Sequence, residues 1–153
     1  MDSKARRSVR PAPISAPKHD GQDDFWPMMI EFTLSQRAWW IGLCEEVGLT
    51  AMQGHTLRLL DPDKPVPMSV VADHLVCDAS NVTGLVDRME SRGLLRRRPS
   101  DEDRRVKVLD LTPTGARLRT VLLERMTTPP ATFTRLSDSE QRALVRILTR
   151  LLE

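Results

Sequence analysis

Cationic side chains are concentrated in one short stretch of this chain, residues 88–107. The stretch holds eight Lys or Arg and four Asp or Glu, a net charge of +4, whereas the whole 153-residue chain carries +2. The rest of the chain is therefore net negative. A local excess of cations is typical of a surface that binds phosphate groups. Because residues 101–103 are acidic and adjoin Arg104 and Arg105, the alternative is a solvated hairpin held together by ion pairs.

Small polar residues precede these cations on a segment with the signals of a helix. Asp78 is a strong N-cap residue, and Gly93 suits the position after the helix C-terminus. One apolar stripe is formed by Val82, Leu85, Val86 and Met89. The opposite face and its flanks carry Ser80, Asn81, Thr83, Gly84, Asp87, Arg88 and Ser91. This pattern suits a helix whose N-terminal half enters the major groove of DNA, although an ordinary amphipathic surface helix shares it.

Elements on both sides of this helix predict a winged helix-turn-helix over residues 68–111. A short helix over 68–76, with Ser69 as its cap, is predicted to bury Val70, Val71, Ala72 and Leu75. Only two residues separate it from the next helix, so the two must cross steeply. Residues 94–98 and 106–111 flank a turn-rich centre and predict a two-stranded hairpin, the wing.

Capping signals place four further helices around this segment. The first runs from about Phe25 to Val47, capped by Asp23 or Asp24 and ended by Gly48. Thr50 and Gln53 form a capping box for the second, which ends near residue 60, and Pro62, Pro65 and Pro67 fill the following loop. After the wing, Thr112 and Pro113 begin a helix that reaches about Met126. Beyond Pro129-Pro130, Ser137 and Glu140 form a capping box for the last helix. The predicted fold is mainly α with a small β-hairpin wing.

The two ends of the folded region carry more apolar surface than a small winged domain needs. The first end has Phe25, Trp26, Met28, Met29 and Ile30, and the last helix has Leu144, Ile147, Leu148, Leu151 and Leu152. We expect these helices to pair with a second copy of the chain, and the alternative is that both pack on their own core. Residues 1–24, rich in Pro, Lys and Arg, are expected to be a disordered leader that aids solubility or grazes DNA phosphates.

These motifs together resemble those of the MarR family of winged helix-turn-helix transcriptional regulators. The resemblance is carried by Val71-Ala72 with Leu75, by SNVTGLVDRMESRGLL from Ser80, by the tip Asp103-Arg104-Arg105, and by LTPTG at 111–115. The flanking helices extend it over about residues 24–153. It implies one domain over 25–153 that binds a pseudo-palindromic DNA operator as a homodimer, with residues 25–60 and 113–153 forming dimerisation and effector helices. Most members of the family are repressors.

The candidate DNA contacts fall into two groups. Base contacts are expected from Ser80, Asn81, Thr83 and Gly84. Contacts with the DNA backbone and from the wing are expected from Arg88, Arg96, Arg97, Arg98, Arg104, Arg105 and Lys107. Gly84 departs from the family, in which many members have a larger polar or basic residue there. Glycine has no side chain to read a base, so readout would shift to its polar neighbours.

The family also implies a crevice for small aromatic ligands between its helices. In this chain the expected lining residues are Trp39, Trp40, Met52 and His55, because Trp and Met form adaptable apolar walls and His supplies a polar group. The alternative is that all four are ordinary core or dimer packing. A ligand in the crevice would change the spacing of the two DNA-binding lobes and release the operator.

Other functions find little support in the sequence. No nucleophile elbow, phosphate loop or paired-carboxylate motif appears, so we expect no enzyme, and we expect no cofactor. Cys44, Cys77, His55 and His74 lack metal-ligand spacing, so no metal site is expected, with a zinc sensor as the alternative. No apolar run is long enough to span a membrane and no signal peptide is evident, so a cytoplasmic protein with reduced thiols is expected. Redox sensing through a cysteine, and a winged module that binds protein without specific DNA, are the remaining alternatives.

Overall fold

The computed structural model describes residues 25–153, and the leader expected over 1–24 lies outside them. Its elements in chain order are α1 (Phe25–Glu46), α2 (Ala51–Leu59), β1 (Val66–Pro67), α3 (Met68–Leu75), α4 (Ala79–Ser91), β2 (Leu95–Pro99), β3 (Lys107–Leu111), α5 (Pro113–Met126), a 3₁₀ turn (Phe133–Arg135) and α6 (Asp138–Leu152). Of these residues, 25–37 belong to one compact unit and 38–153 to another. None of the described helices is long and apolar enough to cross a bilayer.

The core of the second unit is built around α4. All four residues of its predicted apolar stripe are buried, and Val86 and Met89 have no exposed surface. They pack with residues from the other elements, including Leu57, Leu60, Val71, Leu95, Leu109 and Leu122. Full burial of such a side chain stabilises the fold by about 1.5–3 kcal/mol, so this stripe holds α4 firmly while its other face stays in solvent.

Most predicted helix boundaries are confirmed by their caps. Thr50 Oγ1 accepts from the backbone N–H of Gln53 at 3.3 Å, and Gln53 Oε1 accepts from the N–H of Thr50 at 3.0 Å. Ser137 and Glu140 form the second capping box, and Thr112 caps α5. Gly48 and Gly93 follow their helices with φ of +72° and +66°, a left-handed conformation that glycine adopts at little cost.

Details of the helix-turn-helix differ from the sequence expectation. Ser69 is not the cap of α3, because the helix begins one residue earlier and Pro67 occupies the cap position. Asp78 does precede α4, but its carboxylate makes no hydrogen bond to the first turn. Of the four residues expected to be buried on α3, Val71 is buried, Ala72 and Leu75 are half-buried, and Val70 is exposed. Two short helices separated by a tight turn are nevertheless confirmed.

The wing belongs to a three-stranded antiparallel sheet with strand order β1-β3-β2. The predicted hairpin is confirmed as β2 and β3, with Arg97 opposite Leu109. The additional strand is β1, in which Val66 pairs with Leu109 and Pro67 pairs with Val108. The sequence assigned this segment to a loop because prolines punctuate it, yet proline is tolerated at a sheet edge, where its missing N–H is not needed.

The exit from the wing is packed against the turn that follows α4. Thr112 Oγ1 donates to the carbonyl oxygen of Gly93 at 2.6 Å, and the Thr112 amide donates to that of Leu94 at 3.2 Å. Gly115, in the first turn of α5, lies directly over the same Leu94 carbonyl. A Cβ at residue 115 would stand 1.8 Å from the Leu94 oxygen. The LTPTG motif therefore requires glycine because two backbones meet there.

We predict that Gly115→Ala lowers the free energy of unfolding by about 3 kcal/mol, because the added methyl group would force two backbone segments apart. Gly42→Ala is the matched control, since a Cβ at residue 42 has nothing within 4 Å. That control should leave stability unchanged or raise it by up to about 1 kcal/mol. Urea denaturation followed by circular dichroism measures both, and equal stability of the two variants would contradict the packing argument.

Candidate nucleic-acid interface

The solvent face of α4 presents the residues expected to contact bases. Ser80, Asn81 and Thr83 are exposed, and Gly84 is half-buried between them and Arg88. The burial of the opposite stripe fixes which way this face points. The structure therefore brings the four predicted base-contact residues together on one continuous polar surface, in the first half of the helix.

Arg97 joins the wing to this helix. Its Nη2 forms ion pairs with Asp87 and Glu90 of α4, and its backbone N–H donates to Glu90 Oε1 at 2.9 Å. The hydrogen bond that Arg97 donates to the Asp87 carboxylate is the main reason why the pKa of Arg97 is raised above its usual value. Arg97 was expected at the DNA backbone, and in the structure its contacts join β2 to α4.

Arg98 and Arg105 are also paired within the wing. Arg98 Nε donates to Asp110 Oδ2 at 2.7 Å across the two strands, and its Nη1 donates to Asp101 Oδ2 at 2.9 Å. At the tip, hydrogen bonds from Arg105 hold the pKa of the Asp103 carboxyl below its usual range. The alternative interpretation of the hairpin, internal ion pairing, is therefore correct for part of the charge.

A second set of cations has no such partner. Within residues 25–153, Arg88, Arg104 and Lys107 are exposed and form no ion pair or side-chain hydrogen bond. Arg96 makes a single longer contact with Asp110, at 3.4 Å, and its side chain is 70% exposed. These four side chains are the ones that the wing and α4 leave available to an anionic partner.

Arg92 is a structural residue that the sequence reasoning missed. Its Nη1 donates to Gln53 Oε1 at 3.0 Å, and its Nη2 donates to the carbonyl oxygen of Gly48 at 2.9 Å. It thereby connects the end of α4 to the capping box of α2 and to the glycine that follows α1. The sequence predicted Gln53 and Gly48 as capping residues, but it gave no signal that Arg92 would bind them.

The four candidate crevice residues occupy three environments. Trp40 and His55 lie together, with ring centroids 4.5 Å apart, and Trp40 Nε1 donates to the carbonyl of Ala51 at 3.3 Å. Trp39 borders a cavity of about 500 Å³ beside Glu46, Arg125 and the Pro129-Pro130 segment. Met52 borders a different cavity, of about 240 Å³, beside Asn81 and Arg88. Trp39 and Met52 therefore do not line one site.

The cysteines and the possible metal ligands are the remaining candidates for chemistry. Cys44 is fully buried, and burial raises the pKa of its thiol to about 11, which keeps it in the unreactive protonated form. Cys77 is half-buried, and its thiol donates to the Leu75 carbonyl at 3.2 Å. Within residues 25–153, no three His, Cys, Asp or Glu side chains are grouped so that they could hold a metal ion.

Comparison with known proteins agrees with this geometry. Residues 49–107 match the model of the MarR family. The chain is similar to the uncharacterized HTH-type transcriptional regulator YfiV of Bacillus subtilis (strain 168), with 32% identity over 80 residues, 52% of this chain and 50% of the relative. The chain thus spans about half the length of that relative.

Two further likenesses cover more of the chain. The organic hydroperoxide resistance transcriptional regulator of Bacillus subtilis (strain 168) is 28% identical over 109 residues, 71% of each chain. The crystal structure of a probable transcriptional regulator from Pseudomonas aeruginosa has a TM-score of 0.62 and 27% identity, and the match covers 85% of this chain and 99% of that one. The mainly helical fold with a small antiparallel sheet is therefore that of the winged-helix regulators.

We predict that His55 makes stability depend on pH. Burial, and then the charge of Arg58, lower the pKa of His55 below its usual value of 6.5. Below about pH 6.5, His55 therefore binds a proton more readily in the unfolded chain than in the folded one. The free energy of unfolding consequently decreases as the pH falls. Urea denaturation should show a steeper loss between about pH 7.5 and 5.5 for the wild type than for His55→Gln. Parallel losses in the two proteins would contradict this.

Proposed function

We propose that this chain, which carries a MarR-family winged helix-turn-helix, is a transcriptional regulator that binds double-stranded DNA sequence-specifically as a homodimer. The observation that carries the proposal is the exposed polar face of α4 beside cations without internal partners, Arg88, Arg104 and Lys107. Small hydrogen-bonding side chains at the start of such a helix suit base edges in the major groove. The named relatives are transcriptional regulators, and we propose no enzymatic activity.

The contacts of the wing suggest different roles for its arginines. Arg97 and Arg98 would have a structural role, because their guanidinium groups already form ion pairs with carboxylates of α4 and the sheet. Arg104 lies exposed at the tip and would reach phosphates or the adjacent minor groove, where arginine favours narrow A·T stretches. Arg96 and Lys107 would contact the backbone without reading sequence.

The homodimer is proposed from unburied apolar surface on the outer helices. No residue of α6 is buried in the single chain, and Ile147 and Leu151 are 52% and 64% exposed. At the other end, Phe25 and Trp26 are 63% and 66% exposed. Residues 25–60 and 113–153 would pair with those of a second copy. Two recognition helices about 34 Å apart would then meet successive major grooves of a pseudo-palindromic operator.

We further propose that the regulator is a repressor released by a small aromatic ligand. The cavity beside Trp39 has about 500 Å³, within the range of ligand sites, and an ion pair between Arg125 and Glu46 stands at its edge. An aromatic acid could pack on Trp39 and compete with Glu46 for Arg125. Loss of operator footprinting protection with at least one of a panel of small aromatic acids would support this step, and unchanged protection with all of them would reject it.

The alternative is a winged module that binds protein and has no specific DNA site. Its surface would not need cations without internal partners. Equal, weak binding of the intact protein to every duplex sequence would favour this alternative. Footprinting on the DNA upstream of the chain's own coding region separates the two, because only a specific reader leaves a bounded two-fold footprint.

We predict that Arg104→Ala weakens binding to all duplexes and reduces the slope of log affinity against log salt by about 1, because one phosphate contact is lost. Fluorescence anisotropy across a salt series measures the slope. The control is Arg135→Ala, which removes a cation outside the winged segment and should leave the slope unchanged. An unchanged slope for Arg104→Ala would reject the role of the wing tip.

We predict that Leu151→Glu converts the dimer to a monomer, because it places a charge in the apolar stripe of α6. Thr149→Glu makes the same change of charge on the other side of that helix and should leave the dimer intact. Analytical ultracentrifugation at micromolar concentration measures both. A monomeric wild type would reject the homodimer itself.

A further inference from the structure

We propose that Arg88 reads a guanine in the major groove, and that Gly84 is the residue that makes room for it. The inference rests on the proposed DNA binding and changes the role of Arg88 from backbone contact to base contact. It also gives Gly84 a function, although glycine offers no side chain to a base. Arg88 would thus contact the base that a larger side chain at residue 84 would otherwise contact.

The position of the Arg88 guanidinium supports this assignment. A Cβ built on Gly84 would lie 3.5 Å from Arg88 Nη1. Side chains on a helix lean towards its N-terminus, so a residue covers the surface about one turn before its own backbone. The cationic group of Arg88 therefore stands over residue 84, among the small polar residues of the first half of α4.

The neighbours of Arg88 leave its donors unused. The nearby carboxylates of Asp87 and Glu90 are both paired with Arg97. The residues three and four positions away on the helix are uncharged, except Arg92, which is bound to Gln53 and Gly48. Within residues 25–153, the Arg88 guanidinium therefore has no hydrogen-bond acceptor.

Arg88 lines a cavity together with Met52, Leu75, Leu85 and Asn81. Apolar walls favour its methylene groups, while the charged end stays in solvent. Asn81 borders the same cavity, so the side chains of Asn81 and Arg88 lie on the same side of α4. A planar guanidinium with free donors matches O6 and N7 of guanine in two parallel hydrogen bonds, which is the commonest specific contact in the major groove.

The first test is selection of preferred duplexes from a random library by the wild type and by Arg88→Lys. Lysine keeps the positive charge but cannot make the paired contact. We expect the variant to lose discrimination for one G·C pair in each half-site, on the order of 10- to 100-fold, and to keep its salt slope.

The second test concerns Gly84. Gly84→Ala should keep the preference, since its Cβ would be at ordinary contact distance from Arg88. Gly84→Leu fills the space and should lose discrimination at the same G·C pair as Arg88→Lys, while the preference at other base pairs remains. Leucine favours helix, so its effect is not explained by unfolding. The double variant should show no further loss at that pair.

The outcomes separate this inference from the proposed function. A wild type that selects a sequence, together with an Arg88→Lys variant that selects it equally well, would overturn the inference alone. Additive losses in the double variant would overturn the coupling between residues 84 and 88. A wild type that selects no sequence would overturn both the inference and the proposed DNA reading.

Discussion

The carbonyl oxygen of Leu94 is the point on which the arrangement of the winged segment depends. It accepts the amide of Thr112, while the Leu94 amide donates to Met89 at the end of α4, so the helix, both wing strands and α5 meet within a few residues. Gly115 allows the close approach, because any side chain would collide with that oxygen. These backbone contacts therefore fix where α4, the wing strands and α5 meet.

Charge on the wing serves two physical ends. Arg97 and Arg98 are engaged by carboxylates and so restrict the motion of the strands relative to α4. The individual ion pairs are partly exposed and worth little stability each, so their contribution is one of position. Arg88, Arg104, Lys107 and the weakly paired Arg96 are the cations left available to an anionic partner. The count of eight cations over residues 88–107 therefore overstates how many are available to an anionic partner.

Local signals made most of the fold predictable. Each of these signals depends on residues close in sequence: the two capping boxes, the glycines after α1 and α4, and the Thr112-Pro113 start of α5. The helix ends that they predict agree with the structure to within a residue or two. Contacts between distant residues were not predictable. Arg92 meets Gln53 and Gly48 only after folding, and β1 is hidden by its prolines. For the same reason charge counting could not tell paired from unpaired arginines, and the four aromatic, Met and His candidates could not be assigned to separate environments.

The order of the sheet has a consequence for solubility at high local concentration. Open sheet edges can pair with another chain and nucleate aggregates. One edge here is β1, which has only two residues, one of them proline. The other edge is β2, whose sequence is LRRRP, so another strand would have to approach three consecutive arginines and end at a second proline. The residues that shape the wing thus also disfavour the pairing of either sheet edge with another strand.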